Sequence, residues 1–278
     1  MSDGAFSDIV YEPGRVARVI INRPERRNAQ SWRVLREMET AFDAAVADED
    51  CRVIVLSGAG SSFSGGHDLD SPDQVTERQA FDERAGAYER AERYRDVYLD
   101  SHLRWRNLTK PTVAMIQGYC VFGGWMIASA MDIIFAAEDA LLIPVYGDYF
   151  TAPWDVGARK AKEILFENRF MTAGEARDCG FVNRTVPPDR LEAEVLKYAA
   201  RVAENEPQQN RTIKFAINQT LDMMGFSTSV RALSPGFDTQ ILRPRSTAPG
   251  DGGPPPRDPR FRGRVQRAQG YLREDGVR

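Results

Sequence analysis

Two glycine-bearing stretches and one pair of carboxylates hold the residue types best suited to chemistry. In the first stretch Val113 to Ile116 is a short apolar run entered through Pro111, and Gly123-Gly124 then opens a segment of small and apolar side chains from Trp125 to Ala130. A glycine pair at a helix start leaves bare N–H groups that, aided by the helix dipole, can hold an anion or a developing oxyanion. Tight helix packing accounts for the same glycines. The second stretch, Ser57 to Leu69, is too rich in Gly and Ser for regular structure and carries His67 and Asp68. A phosphate loop needs Lys after its last glycine, and His67 stands there, which argues against nucleotide binding. A plain turn with a surface histidine is the alternative. Asp148 and Asp155 lie in an irregular segment with Tyr146, Tyr149, Phe150 and Trp154, a composition that suits an apolar ligand pocket and equally a packed core edge.

Composition narrows the chemistry. His67 and His102 are the only two histidines, which excludes a multi-histidine metal centre and leaves the site without a metal. The three cysteines, Cys51, Cys120 and Cys179, have no paired spacing, so neither a disulfide framework nor a cysteine zinc site is expected and a cytoplasmic setting fits. A net charge of −3 provides no field for nucleic acid or an anionic membrane. The N-terminus shows no secretory signal pattern. Residues 116–137 are long and mostly apolar, but Gln117, Asp132 and the interspersed glycines argue against a membrane span.

The elements that must position these residues alternate strand and helix. Residues 16–22 read as a strand, followed by a polar turn, and Ser31 then caps a helix with Val34, Leu35, Met38, Phe42 and Val46 on one face. Residues 52–56 read as a buried strand, 74–107 as one or two charged helices that cover the core, and 110–137 as strand, glycine loop, helix, strand. Helices over 156–167 and 173–179, a strand over 181–186, and helices over 190–204 and 207–224 complete the folded part. Six prolines and three glycines between Arg243 and Pro259 suggest an extended arm, and 260–278 form a basic, helix-permissive end.

Three motifs in order resemble the crotonase superfamily, the enoyl-CoA hydratase and isomerase family: Asn22-Arg23-Pro24 through Asn28-Ala29, Phe63 through Leu69, and Lys110-Pro111-Thr112-Val113-Ala114 leading to Gly118-Tyr119 and Gly123-Gly124. Asp132-Ile133-Ile134, Met171 to Ala176, Gly180 to Asn183 and Lys214 to Gln219 extend the likeness, which spans roughly 14–224. The resemblance implies an α/β fold: a crotonase-type spiral of strand–strand–helix repeats over 1–190, a helical C-terminal region over 191–242 used for trimerisation, and the arm and tail over 243–278. It implies an acyl-CoA thioester substrate, with coenzyme A as part of that substrate and no prosthetic group, and a homotrimer or hexamer. It places the amides of His67 and Gly123 on the thioester oxygen. Arg26, Asn28 and Ala29, with Ser64, Gly65, Gly66, Asp68 and Leu69, would lie along the coenzyme A.

The departure from the family pattern concerns the acid–base groups. At the two positions where hydratases of this family carry glutamates, this chain has Met126 and Tyr146. Methionine moves no proton, and tyrosine with a pKa near 10 is at best a donor or weak acid. Phe122 replaces the first glycine of the usual triplet, and Trp125 beside Met126 is expected to crowd the acyl site. Asp148 and Asp155 are the carboxylates offered instead, with a helix cap as the alternative for Asp155. The reaction expected is therefore a lyase or isomerase step through an enolate or oxyanion, and the alternative is a non-catalytic thioester binder.

Overall fold

The computed structural model describes residues 6–233 and Gly270; apart from that glycine, the arm and basic tail expected over 243–278 lie outside the described residues. In chain order the strands are β1 (Ile9–Glu12), β2 (Val16–Ile21), β3 (Val53–Gly58), β4 (Thr112–Ile116), β5 (Tyr119–Val121), β6 (Ile133–Ala137), β7 (Leu141–Ile143), β8 (Met171–Thr172) and β9 (Arg184–Val186). The helices are α1 (Trp32–Ala47), α2 (Pro72–Arg84), α3 (Ala87–Arg95), α4 (Ser101–Arg106), α5 (Gly123–Ser129), α6 (Ala152–Asp155), α7 (Ala158–Glu167), α8 (Ala173–Asp178), α9 (Leu191–Ala203), α10 (Pro207–Met223) and α11 (Phe226–Leu233). A single π turn, Asp96–Asp100, joins α3 to α4.

Six strands form one sheet in the order β1-β2-β3-β4-β6-β9, parallel except for the β1/β2 hairpin, and β5-β7-β8 form a second, smaller sheet. Every residue of β3 and of β4 is buried. That is why both read as continuous apolar runs rather than alternating ones. Ser31 caps α1 as expected, its Oγ accepting from Val34 N at 3.2 Å. The chain passes from β4 of the large sheet to β5 of the small one and then into α5, which starts at the buried Gly123.

Several boundaries differ from the sequence reading. β1 was not expected; its Ile9 pairs with Ile21 and its outer edge is unpaired among the described residues. The helix expected over 156–167 begins two residues later, because Gly157 takes φ +77° and becomes the N-cap of α7, and a separate short helix, α6, precedes it. The strand expected from residue 181 begins at Arg184, since the amides of Phe181 and Val182 turn back to Ala176 O. α10 has no fully buried residue, and two ion pairs hold it to α4 and to the turn before β6: Arg106 Nη1 to Asp222 Oδ1 at 3.2 Å and Lys214 Nζ to Asp132 Oδ2 at 2.8 Å. Among the described residues no helix is long and apolar enough to cross a membrane.

Candidate active site

The loop after β3 is fixed between two neighbours by single parallel bridges, Gln30 to His67 and Ser64 to Cys120. Gln30 N donates to Gly66 O at 2.8 Å and Asp68 N donates to Gln30 O at 2.9 Å, so the His67 amide between them points to the opposite side. Behind the bridge, the buried Arg23 guanidinium donates to Asp68 Oδ2 and to Ala29 O, both at 2.8 Å. Asp68 Oδ1 takes the amides of Asp70 and Ser71, and these donors hold its carboxyl below the usual range despite burial. Gly66 sits at φ +93°, where a Cβ would lie 3.3 Å from Gly123 N and 2.8 Å from Val121 O. Only glycine allows so close an approach.

α5 starts from the other side of this contact. Phe122 keeps a left-handed backbone, φ 51° and ψ −102°, with its amide donating to Ile143 O at 2.9 Å. A non-glycine residue in that conformation costs about 1–3 kcal/mol, a strain typical of functional turns. Among the described residues, neither the His67 nor the Gly123 amide donates to a protein acceptor. Two open N–H groups on abutting chains are an arrangement able to receive one oxygen atom.

Around these amides the structure gathers aromatic rings and one carboxylate. The π turn at Asp96–Asp100, a local form often found at functional sites, sets Tyr98 and His102 on the inner side. The Tyr98 ring lies 4.5 Å from that of His67, and its hydroxyl accepts from Trp32 Nε1 at 2.9 Å. Asp148 is close enough to Tyr98 to help raise the pKa of its phenol, although burial is the main cause. Asp148 itself takes φ +46° after Gly147 at +136°, and burial pushes its carboxyl up to about 7. Burial lowers His67 to about 4, which keeps the imidazole neutral. His102 is fully buried, stacks on Tyr149 at 5.2 Å, and is held well below its ordinary pKa chiefly by burial.

The structure thus brings His67 and Gly123 together, with Asp148 near enough to Tyr98 to act on its phenol, while Tyr146 and Asp155 fall elsewhere. Met126 is buried, and Tyr146 is 63% exposed with its ring packed edge-on against Phe150. Asp155 accepts from Trp125 Nε1 at 2.7 Å, Ser129 Oγ at 2.9 Å and Thr151 Oγ1 at 2.6 Å. Its burial raises the carboxyl to about 6 against those stabilising donors. Ser129 is roughly 9 Å along the α5 axis from Gly123 at 1.5 Å per residue, so Asp155 belongs to the far end of that helix. It does not cap α7, whose N-cap is Gly157. The Trp125 indole stacks on Phe181 at 3.8 Å and donates to Asp155.

Among the residues expected along coenzyme A, Arg26 and Leu69 are exposed and Ala29 and Gly65 are partly so. Asn28 and Ser64 are buried with their side chains committed to the loop. Asn28 Oδ1 accepts from Arg23 N at 3.0 Å, and Nδ2 donates to Ala59 O at 2.8 Å and to Ser62 O at 2.6 Å. Its side chain ties three loop segments together, so Asn28→Ala is expected to lower unfolding stability by about 2–4 kcal/mol in urea titration. Gln30, Trp32 and Tyr98 are site residues that the sequence reading did not single out. Gln30 and Trp32 fall where nothing but long-range pairing marks them, and Tyr98 reads as one more apolar position of a covering helix.

The strand order, the abutting glycine loops and the amides left open between them define a crotonase-type fold, and the chain belongs to the enoyl-CoA hydratase/isomerase family, whose sequence model matches residues 12–233. A Mycobacterium tuberculosis protein named as an enoyl-CoA hydratase, EchA13, is 36% identical over 247 residues, covering 81% of this chain and 78% of its own. The solved structure of a probable enoyl-CoA hydratase from Mycobacterium thermoresistibile superimposes with a TM-score of 0.76 at 40% identity, covering 83% of this chain and 93% of that one. An enoyl-CoA hydratase/isomerase from Xanthobacter autotrophicus Py2 gives a TM-score of 0.76 at 32% identity over 85% of this chain and 88% of that one.

Proposed function

We propose that this family member acts on an acyl-CoA thioester by forming an enolate, with the amides of His67 and Gly123 on the thioester oxygen and Asp148 as the group that moves the proton. The observation that carries this reading is the pair of open amides brought together by Gly66, beside the His67 ring against which Tyr98 packs; the charge of Asp148 acts on the Tyr98 phenol. Asp148 has a pKa of about 7, close to where a group that both takes and returns a proton works best. Coenzyme A would run past the exposed Arg26 side chain and the loop from Ser64 to Leu69. Oligomer formation, as a trimer or pair of trimers, would use α10, on which Ile213, Phe215, Ile217 and Met223 are each about half exposed or more.

Deuterium exchange tests the enolate directly. In D₂O the enzyme is expected to introduce deuterium at Cα of butyryl-CoA, read by mass spectrometry. If no exchange occurs there and crotonyl-CoA, 3-hydroxybutyryl-CoA and 3-hexenoyl-CoA are all returned unchanged, the enzymatic reading fails and a thioester-binding role replaces it.

A further inference from the structure

The side chain of His67, as distinct from its amide, has a hydrogen-bond sense fixed by its neighbours. Ser64 Oγ donates to Asn28 O at 2.9 Å, so its single proton is committed, and it accepts from Gly66 N at 3.2 Å. The Gln30 amide that meets the same oxygen at 2.9 Å therefore donates through Nε2, which turns Gln30 Oε1 away from Ser64. Gln30 Oε1 and His67 Nε2 flank Gly123 together, each 2.8 Å from the place a Cβ on that glycine would occupy. Both atoms are sealed from solvent, and among the described residues neither has a hydrogen-bond partner.

Leaving two such atoms unpaired costs about 1–3 kcal/mol each, and a hydrogen bond between them would relieve both. An amide oxygen accepts and cannot donate, so the junction forms only when the imidazole proton is on Nε2. Nδ1 is then the nitrogen with the free lone pair, on a side chain that is only partly buried. Burial keeps this imidazole neutral through the working pH range, so it acts as an acceptor and not as a carrier of protons. Tyr98 packs beside the ring, and the charge of Asp148 acts on the Tyr98 phenol.

We propose that Gln30 locks His67 in the Nε2–H tautomer so that His67 Nδ1 accepts a hydrogen bond from the oxygen at the acyl β-carbon, which is water in hydration and the hydroxyl in dehydration. The proposal rests on the enolate reading and narrows its substrate class to 2-enoyl and 3-hydroxyacyl thioesters. Water oxygen bonds to Cβ as one of its protons passes to the Asp148 carboxylate, and the Cα–Cβ π electrons move onto the thioester oxygen held by the two amides. Asp148 then returns that proton to Cα as the thioester carbonyl re-forms, giving net addition of H and OH. Throughout, His67 Nδ1 accepts from the O–H that is not transferred. Gln30 is a positioning residue in this scheme, and His67 is a catalytic one.

Nitrogen-15 correlation spectra of the wild-type enzyme at neutral pH are expected to show His67 Nε2 as the protonated nitrogen and Nδ1 as the unprotonated one; the reverse assignment overturns the proposal. Gln30→Leu is expected to slow hydration of crotonyl-CoA about tenfold more than it slows Cα exchange in butyryl-CoA, because only hydration uses the oriented lone pair. Equal losses in the two reactions, or undiminished hydration, also overturn it while leaving the enolate reading intact. Absence of exchange in the wild-type enzyme instead removes the enolate reading and this proposal with it.

Discussion

Asp148→Asn is expected to lower turnover by about 10²- to 10⁴-fold while leaving thioester affinity within about twofold, since the change removes a proton carrier and little binding surface. Asparagine is the informative replacement because it tolerates the left-handed backbone at φ +46° as well as aspartate does. The wild-type rate in the direction that needs the carboxylate as base should rise with pH through about 7, where burial places this group. The same shift has a consequence for stability. A folded-state pKa above the unfolded value means that the native chain binds this proton more tightly, so the contribution is fully present below about pH 4. It is lost as pH rises through about 7. Asparagine removes that loss, and the variant should melt a few degrees above wild type at pH 8 and level with it at pH 4. Asp155→Asn provides the contrast, because its carboxylate is spent on Trp125, Ser129 and Thr151 at the other end of α5. Equal turnover by wild type and Asp148→Asn would remove Asp148 from the mechanism.

The parts of this molecule that were legible in the sequence are those written locally. β3 and β4 announce themselves as branched apolar runs because both faces of each are covered, and Ser31 marks the start of α1 because a hydroxyl cap lies three residues from the amide it satisfies. Gly123-Gly124 and the loop ending at His67 were visible for the same reason. What escaped depends on contacts far apart in sequence. Trp125 gives no sign that its indole turns to Asp155, thirty residues on. The π turn at Asp96–Asp100 has the side-chain pattern of an ordinary helix, so nothing local shows that one extra residue per turn directs Tyr98 and His102 inward. Gln30 follows Asn28-Ala29 without any periodic cue, and its meaning lies in Ser64 and His67 across a bridge of isolated residues. Asn28 was legible as part of a motif, but not as the side chain that ties the loop together.

Gly66→Ala is the second change from which a large loss is expected, about 10²- to 10³-fold in turnover, the scale of removing one oxyanion donor. Two separate effects act at this position. The φ of +93° is one that a side chain rarely adopts, and the added methyl would press on Val121 O at 2.8 Å and stand 3.3 Å from Gly123 N. Those neighbours are backbone atoms of the strand and helix start and cannot rotate aside, so the methyl forces the two chains apart where their open amides meet. Gly65→Ala separates this effect from a general weakening of the loop. Its methyl meets nothing nearer than Arg27 O at 3.3 Å and its backbone is not left-handed, so its loss should be far smaller. Thermal melts of both variants establish that the loop is folded, and the rate of Cα exchange then shows whether enolate formation itself is affected. Because both steps pass through the same oxyanion, Gly66→Ala should depress them together, in contrast to Gln30→Leu, which should separate them. A Gly66→Ala enzyme that folds and exchanges Cα protons at the wild-type rate would mean that the thioester oxygen is held somewhere other than between His67 and Gly123.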